Sequence, residues 1–461
     1  MRVRIDMTGG NPLRRMLSFC WPMLLGSALM QVSNLVDGLI VGRSAGVGAF
    51  AAIAAASPVA FLAAGFLMGF CNGFVIPIAL AIGAGDREAA DRFSCAALLM
   101  TALMALMVAI PSGMIAERLI ALVGTPADIA SDAARYLRIV LLGIPVPLIM
   151  MTLTGILRAG GDTKTAFRYQ MLGMGLHLGL DVILIAILRM GVIGAALASL
   201  IAHGTASALC LRRVLRERPD ILRLARFGVR PEVAKRLLWL GAPIGLTNLL
   251  ASMGATAFQF AVNSLGSSAV AAVAAADRLF SLAVMPAMML GGAVEVFSGQ
   301  NYGANRPDRI ITGVKQLYTL MVSVVTPVTL ILAAVSRHAI PLIIDGVTPE
   351  LLELSGRFIL MAALFVPFQC LSSILKNVLQ GIGRPDKPVI ASVYDVLVRL
   401  ACAVFGVAQF GFWAIALVNP IAWVLSALAL VVTCRAVMKQ VLPKAVRQDA
   451  AKTSSYRAKT A

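Results

Sequence analysis

Two carboxylates and an imidazole lie inside long apolar stretches of the first half of the chain. Asp37 follows Asn34 by three residues, which places both side chains on one face of a helix. Asp181 follows His177 by four residues, again on one helical face. Ionisable groups inside apolar spans are costly, so we expect these residues to act on an ion, a proton or a polar ligand.

A second imidazole, His203, follows Ser199 by four residues in the next apolar stretch. A carboxylate taken out of water holds a proton more tightly, because desolvation disfavours the anion, and it can then exchange that proton near neutral pH. The oxygens of Asp37, Asn34 and Asp181 are alternatively ligands for Na+, a hard cation. The residues leave H+ and Na+ open, together with the simpler interpretation that neighbouring helices satisfy each polar group.

The second half of the chain carries a different set of intramembrane charges. Phe258 stands at the place that corresponds to Asp37, and the ionisable residues are Lys376, Asp395 and Arg399. The spacing of Asp395 and Arg399 is typical of a structural ion pair along a helix. Lys376 has a long apolar stem, which can carry its charge to a cavity or to the membrane interface.

Composition places all these residues in a membrane protein. Of the 461 residues, 59% are hydrophobic and 13% are charged, about half the charged share of soluble domains. The seven Cys residues stand singly, without a CxxC pair or a Cys/His cluster, which excludes a zinc site or disulfide framework of recognisable spacing. Apolar runs of about 20 residues predict transmembrane helices. We place twelve of them near residues 17–40, 49–81, 93–115, 135–157, 168–188, 192–211, 237–262, 269–298, 313–335, 357–381, 389–410 and 412–436.

The distribution of basic residues supports an even number of spans. Of the 40 Lys and Arg residues, 30 fall on the side of the N terminus, 7 on the other side and 3 inside the predicted spans. Basic residues accumulate on the cytoplasmic side, so both termini are expected in the cytoplasm. The net charge of +18 therefore indicates an interaction with membrane lipid, and no nucleic-acid partner is expected. Pro22, inside the first span, is expected to bend that helix because it removes one backbone hydrogen bond.

The two halves of the chain form an internal repeat. The run AAIAAA at 51–56 corresponds to AAVAAA at 271–276, and ILRAGG at 156–161 corresponds to VLQGIG at 378–383, with offsets of 220 and 222. Six spans per half give both halves the same orientation, and parallel repeats place a substrate path at their interface. The predicted organisation is an N-terminal segment (1–16), a first six-helix lobe (17–211), a basic cytoplasmic linker (212–236), a second lobe (237–436) and a cytoplasmic tail (437–461) that is disordered after Pro443.

In combination these motifs resemble a known transporter family. The run NLVD at 34–37, the loop GILRAGGDTKT at 155–165, and the second-half motifs GQNYGA at 299–304 and LQGIGRP at 379–385 are similar to the multidrug and toxic compound extrusion (MATE) transporters. The resemblance covers roughly residues 15–436. It implies an all-α membrane protein with twelve helices in two six-helix lobes around a V-shaped central cavity. It also implies export of cationic or amphipathic drugs against inward H+ or Na+ flow.

The resemblance also implies roles for individual residues. Asp37 and Asp181 match the coupling residues of the DinF-like branch, whereas the acidic residues of the NorM-like branch are absent from the seventh and tenth helices. His177 stands where the DinF-like branch usually has Asn, and His203 where the sixth helix often has Gln. Imidazoles exchange protons near neutral pH, so they favour H+ as the coupling ion.

These observations predict a secondary active antiporter in the cell (inner) membrane that exports organic cations or amphipathic compounds in exchange for H+ or Na+. We expect no enzymatic activity, no cofactor, no dedicated metal site and a monomeric chain. The alternative is a lipid-linked oligosaccharide flippase, for which Arg278, Lys376 and Arg399 would have to bind pyrophosphate. A major-facilitator transporter lacks support because its basic loop after the second span is missing, and the predicted spans contain no catalytic motif.

Overall fold

A computed structural model describes residues 5–123, 125, 127–217, 220, 229–342 and 348–460 as an all-helical protein. Twelve helical stretches in this described part are long and apolar enough to cross a membrane. They confirm the twelve predicted spans, and most extend beyond the predicted limits. Their bounds are Pro12–Ser44, Ala51–Gly83, Arg87–Met114, Ala127–Ala159, Thr163–Ile187, Gly191–Arg216, Pro231–Asn263, Ser268–Gly303, Pro307–Ala339, Pro349–Gly381, Val389–Phe410 and Phe412–Gln440.

The chain divides into two compact units. The first comprises residues 18–245 with those before Met7, and the second comprises residues 7–17 and 246–461. The helices are α1 Pro12–Ser44, α2 Gly46–Gly83, α3 Arg87–Met114, α4 Ala116–Leu122, α5 Ala127–Gly143, α6 Pro145–Ala159, α7 Thr163–Asp181, α8 Gly191–Glu217, α9 Pro231–Asn263, α10 Ser267–Gly303, α11 Pro307–Ala339, α12 Pro349–Gly381, α13 Val389–Ala401, α14 Val407–Phe410 and α15 Phe412–Thr460. One turn of π-helix follows α7 at Val182–Ile187, and another follows α13 at Cys402–Gly406.

Several helix bounds differ from the predicted organisation. Helix α1 begins at Pro12, inside the predicted N-terminal segment, and runs as one helix through Pro22. Helices α8 and α9 extend into the predicted linker, of which residues 218, 219 and 221–228 lie outside the described part. The lobe boundaries, the bend at Pro22 and the V-shaped cavity stay predictions. The expected disorder of the tail after Pro443 also stays a prediction.

The loop motif before α7 has a local structural cause. Asp162 is buried and accepts a hydrogen bond from the backbone N–H of Thr165, which caps the first turn of α7. Gly161 before it has φ +77°, and a Cβ at this position would collide with the carbonyl oxygen of Ile5. The GGD part of the motif therefore turns the chain tightly and starts the helix that carries His177 and Asp181.

The second-half motif GQNYGA holds the beginning of the chain. Met7 is fully buried, its N–H donates to Gln300 Oε1 at 3.1 Å, and Asn301 Nδ2 donates to its carbonyl oxygen at 3.0 Å. Arg309 Nε donates to Asn301 Oδ1 at 3.0 Å and so orients that amide. These contacts explain why residues 7–17 belong to the second unit.

Helices α2 and α9 pack through glycine at two successive turns. An ideal Cβ on Gly69 would lie 2.5 Å from the Cα of Gly245, and one on Gly73 would lie 2.6 Å from the Cα of Gly241. Each helix thus presents a Gly-x-x-x-Gly pair to the other, a pattern that lets helix backbones approach closely in a membrane. Any larger side chain at these positions has to separate the two backbones.

We predict that Gly73→Ala lowers the free energy of unfolding by about 1–3 kcal/mol, because the added methyl group overpacks a backbone contact. Thermal unfolding of the detergent-solubilised protein measures the effect. Gly65→Ala on the same helix is the matched control, since the nearest atom to its Cβ, Phe61 Cε1, is 3.8 Å away. Equal unfolding midpoints for the two variants would contradict the close α2–α9 packing.

Candidate functional site

Three of the predicted site residues come together within the first unit. One ligand atom each from Asp37 on α1 and from His177 and Asp181 on α7 lie within 4.8 Å of one another. His177 Nε2 is 3.6 Å from Asp181 Oδ2. Within the described part of the chain, this is the only group of three His, Cys, Asp or Glu side chains close enough to share an ion.

The direct packing of α1 on α7 brings these residues together. Gly26 on α1 faces α7, and a Cβ there would lie 3.4 Å from Phe167 and 3.6 Å from Gln170. Further along both helices, in the same direction, lie Asp37 and the pair His177 and Asp181. The two helices touch at Gly26 through ordinary van der Waals contact, and Asp37, His177 and Asp181, two or more turns further on, also meet.

Asp181 has the most demanding environment of the three. Its side chain is 0% exposed, and neither carboxylate oxygen has a hydrogen-bond partner among the described residues. A buried, unsatisfied carboxylate is strongly unfavourable unless it binds a proton or a cation. The half-buried Asp37 and the 19% exposed His177 are the ionisable groups beside it.

The backbone changes its helical period directly after Asp181. The π-helical turn Val182–Ile187 follows α7, and the N–H of Leu188 bonds to the carbonyl of Ile183 at 2.9 Å, five residues earlier. π-turns widen the helix locally and occur frequently at functional sites. Here the turn fixes the end of α7 on which both His177 and Asp181 stand.

His203 on α8 lies beside this cluster. Its ring centroid is 6.1 Å from that of His177, and its Nδ1 is 2.8 Å from the carbonyl oxygen of Ser199. A carbonyl oxygen only accepts, so the proton of the neutral His203 ring is on Nδ1 and Nε2 is left as an acceptor. Ser199 thus positions His203 through its backbone, and its hydroxyl oxygen is 3.5 Å from the same nitrogen.

Tyr136 on α5 is a neighbour of the site that the sequence analysis did not identify. It packs against a small cluster of Val41, Ile185 and Ala195, which joins α1, the π-turn and α8. In this position it is near enough to interact electrostatically with both carboxylates. The sequence could have identified Tyr136 only by its residue type, because it is one of six Tyr residues and falls in a predicted span.

The remaining predicted residues are distributed elsewhere. The side chain of Asn34 lies outside the described part of the structure. Lys376, Asp395 and Arg399 belong to the second unit, where Arg399 Nε donates to Asp395 Oδ2 at 2.9 Å. Within the first unit, the structure therefore brings Asp37, His177, Asp181, Ser199 and His203 to one place.

Comparison with known proteins identifies the family. A family model described as MatE matches residues 22–183 and 243–405, which is more than half of the chain. The chain belongs to the MATE family. The two matched segments also confirm that each half of this MATE protein carries one copy of the repeat.

Several relatives of this MATE protein are known from bacteria. The probable multidrug resistance protein YoeA of Bacillus subtilis is 32% identical over 306 residues, 64% of this chain and 66% of that protein. The probable multidrug resistance protein YpnP of the same organism is 26% identical over 82% of this chain and 84% of its own length. The DNA damage-inducible protein F of Escherichia coli is 28% identical over 63% of this chain and 64% of its own length. This MATE protein is therefore a multi-pass membrane protein of a multidrug efflux family.

Solved structures show the same fold. A crystal structure of MATE in the bent conformation has a TM-score of 0.86 at 22% identity, over 96% of this chain and 99% of that one. An outward-facing multidrug resistance MATE transporter has a TM-score of 0.85 at 22% identity, over 95% and 98% of the two chains. These likenesses confirm the all-α fold predicted for this MATE protein.

We predict that Asp181→Asn raises the free energy of unfolding at pH 8.5 by about 1 kcal/mol or more, because an amide removes a buried charge and can donate a hydrogen bond to Asp37. Thermal unfolding in detergent measures the change. Asp132→Asn, on the exposed surface of α5, serves as the control and is expected to stay within about 0.5 kcal/mol of the wild type. A lower midpoint for Asp181→Asn than for the control would mean that the carboxylate stabilises the fold.

Proposed function

We propose that this MATE protein is a proton-coupled antiporter that exports organic cations or amphipathic compounds from the cytoplasm. The observation that carries the proposal is the cluster of Asp37, His177 and Asp181 inside the membrane-spanning part of the first unit. Two carboxylates give the cluster its affinity for positive charge. The relatives YoeA and YpnP are both named probable multidrug resistance proteins, which supports drugs as the substrate class.

The proton is the coupling ion that suits this donor set best. Na+ is a hard cation and prefers oxygen ligands, whereas this site contains an imidazole nitrogen, His177 Nε2, 3.6 Å from Asp181 Oδ2. An imidazole beside a carboxylate exchanges protons near neutral pH. Na+ held by Asp37, Asn34 and Asp181 remains the competing assignment, and the transport experiment below separates the two.

The mechanism is competition for one pair of negative charges. When Asp37 and Asp181 hold protons, they carry no charge to attract an organic cation, and the substrate is released. When the protons leave, the paired carboxylates attract a cation again. His177 accepts or donates the proton at its Nε2, and His203, held by Ser199, keeps its Nε2 available beside it.

The energy available from this exchange is sufficient. One elementary charge crossing 100 mV supplies about 2.3 kcal/mol, which corresponds to a substrate gradient of roughly 50-fold. The two protons exchanged for one monovalent cation move one net elementary charge inward, so the exchange supports a gradient of this size. Alternating access of two parallel repeats supplies the accompanying movement.

We place the protein in the cell inner membrane, with both termini in the cytoplasm, because 30 of 40 basic residues fall on the side of the N terminus. A monomer with a small-molecule substrate, surrounded by membrane lipid, is sufficient for this mechanism. It requires no cofactor, resident metal, nucleic acid or catalytic chemistry. The comparisons give no support to the alternative of an oligosaccharide flippase.

Ethidium efflux from cells that express the protein tests the proposal. We expect wild-type efflux to collapse with a protonophore and to be unchanged when K+ replaces Na+, because protons supply the driving force. Asp37→Asn and Asp181→Asn are expected to lose efflux, whereas the exposed Asp132→Asn is expected to keep it. Equal amounts of protein in the membrane are verified for every variant.

Three outcomes would contradict parts of the proposal. Efflux that requires Na+ and resists the protonophore would assign Na+ as the coupling ion. Efflux that survives both neutralising variants would place coupling outside this cluster. No efflux above the empty vector would reject ethidium-like cations as substrates.

A further inference from the structure

The second unit contains an ion pair that the proposed function does not use. Arg399 Nε donates to Asp395 Oδ2 at 2.9 Å, one turn earlier on α13. The two side chains are only 15% and 25% exposed. An exposed pair would contribute little, but removing one partner of a pair this buried leaves an uncompensated charge.

Helix α9 contacts this pair and leaves space for it. Arg399 Cζ lies 5.5 Å from the centre of the Phe258 ring, a cation–π contact. One turn before Phe258, an ideal Cβ on Gly254 would lie 2.9 Å from Arg399 Cδ and 3.2 Å from Asp395 Oδ2. The absence of a side chain at Gly254 therefore provides the space in which the guanidinium lies.

The internal repeat makes this place the counterpart of the first-unit cluster. The two segments that match the family model are offset by 221 residues at their starts and 222 at their ends. The first offset carries Asp37 onto Phe258, and the second carries His177 onto Arg399. The second offset also carries Asp181 onto Ala403, so the first unit has two carboxylates and an imidazole where the second has an aromatic ring, a methyl group and a fixed cation.

The backbone around the two places is repeated as well. A π-turn follows α7 at Val182, and another follows α13 at Cys402. In both units the ionisable residues stand in the last turns before the π-turn. The second unit has kept the architecture of the site and changed the groups that fill it.

Further ionisable groups from several helices interact with Arg399 and Asp395. Asp277 on α10 and Cys402 in the π-turn interact with Arg399, and Lys376 on α12 interacts with Asp395 and with Glu295 on α10. The group comprises three carboxylates and two cations. With Arg399 removed, the three carboxylates face Lys376 alone, so the excess of negative charge grows from one to two.

We propose that Arg399 is a built-in cation that fills, in the second unit, the place at which the first unit binds its exchangeable cation. An arginine side chain stays protonated at every physiological pH, so this cation cannot dissociate during a transport cycle. The place keeps the charge balance of a cation-loaded site at all times. The inference rests on the proposed function, because it takes the first-unit cluster as the site of an exchangeable cation, and its consequence is one exchangeable coupling site per chain.

Arg399→Gln tests this role because it keeps most of the side-chain length and a hydrogen-bond donor but removes the charge. Asp395 is then left without its ion-pair partner, and the place is expected to take up Na+ or H+ from solution. Every variant is made in an Asp37→Asn/Asp181→Asn background, so that the first-unit cluster contributes no cation response. A failure of the proton-coupled mechanism therefore cannot be mistaken for a failure of this inference.

The measurement is the thermal unfolding midpoint of the purified protein in detergent. It is recorded at pH 8 with NaCl or choline chloride, and in choline chloride from pH 8 to pH 5.5. We expect the unfolding midpoint of Arg399→Gln to rise by about 2 °C or more on addition of Na+ or on acidification, beyond any rise in the background protein. Arg399→Lys, which keeps a cation, and Arg399→Gln/Asp395→Asn, which removes both charges, are expected not to gain it.

The inference is overturned if Arg399→Gln responds to Na+ and pH as the background does, or if its new response survives in Arg399→Gln/Asp395→Asn. If Arg399→Gln does not survive extraction, Arg399→Ala is purified with methylguanidinium and then transferred to NaCl or to choline chloride. If the protein stays folded in NaCl but unfolds in choline chloride, the inference is supported. Unfolding in both solutions overturns it.

Discussion

The repulsion between two carboxylates inside a membrane-spanning unit is the constraint on which the rest of the structure depends. Oxygen atoms of Asp37 and Asp181 lie within 4.8 Å of each other. At an effective dielectric constant of about 20, two negative charges at this distance repel by about 3 kcal/mol. A proton or another cation relieves that repulsion, so the occupancy of the site is tied to the charge state of the protein. This link is what an ion-coupled transporter requires.

The surrounding helices hold the two carboxylates in place against this repulsion. The cap at Asp162 and the tight turn at Gly161 define where α7 begins, and the π-turn at Val182–Ile187 defines where it ends. Helix α1 contacts α7 at Gly26, beside Phe167 and Gln170. Of these features, the π-turn directly adjoins Asp181, and π-turns occur frequently at functional sites.

The two halves of the chain differ in the charged groups that they carry at corresponding places. One fold repeat supplies a cluster whose charge can be neutralised by an ion from outside, and the other supplies an ion pair that is complete in itself, Arg399 with Asp395. On the proposed mechanism, the same architecture holds an exchangeable ion in one unit and a permanent ion pair in the other. A transporter with one exchangeable site has a simpler coupling rule than one with two.

The sequence predicted the fold well because the signals for membrane helices are strong. Long apolar runs and the bias of basic residues fixed the number of spans, and helical spacing alone placed His177 beside Asp181 and Ser199 beside His203. The contact of Asp37 with this pair is a tertiary contact, which helical spacing within one element cannot give. The sequence analysis did not predict the position of Tyr136, the π-turns or the cation–π contact of Arg399 with Phe258, because they depend on packing between helices rather than on a local pattern.

Proton release on substrate binding is the most direct measurement of the central claim. Ethidium is added to the purified protein in weakly buffered detergent solution at neutral pH, and a soluble pH indicator records the protons released. The account predicts proton release that saturates with ethidium binding in the wild type and is absent in Asp37→Asn/Asp181→Asn. Ethidium binding to the wild type without proton release, or equal release from the double variant, would contradict it.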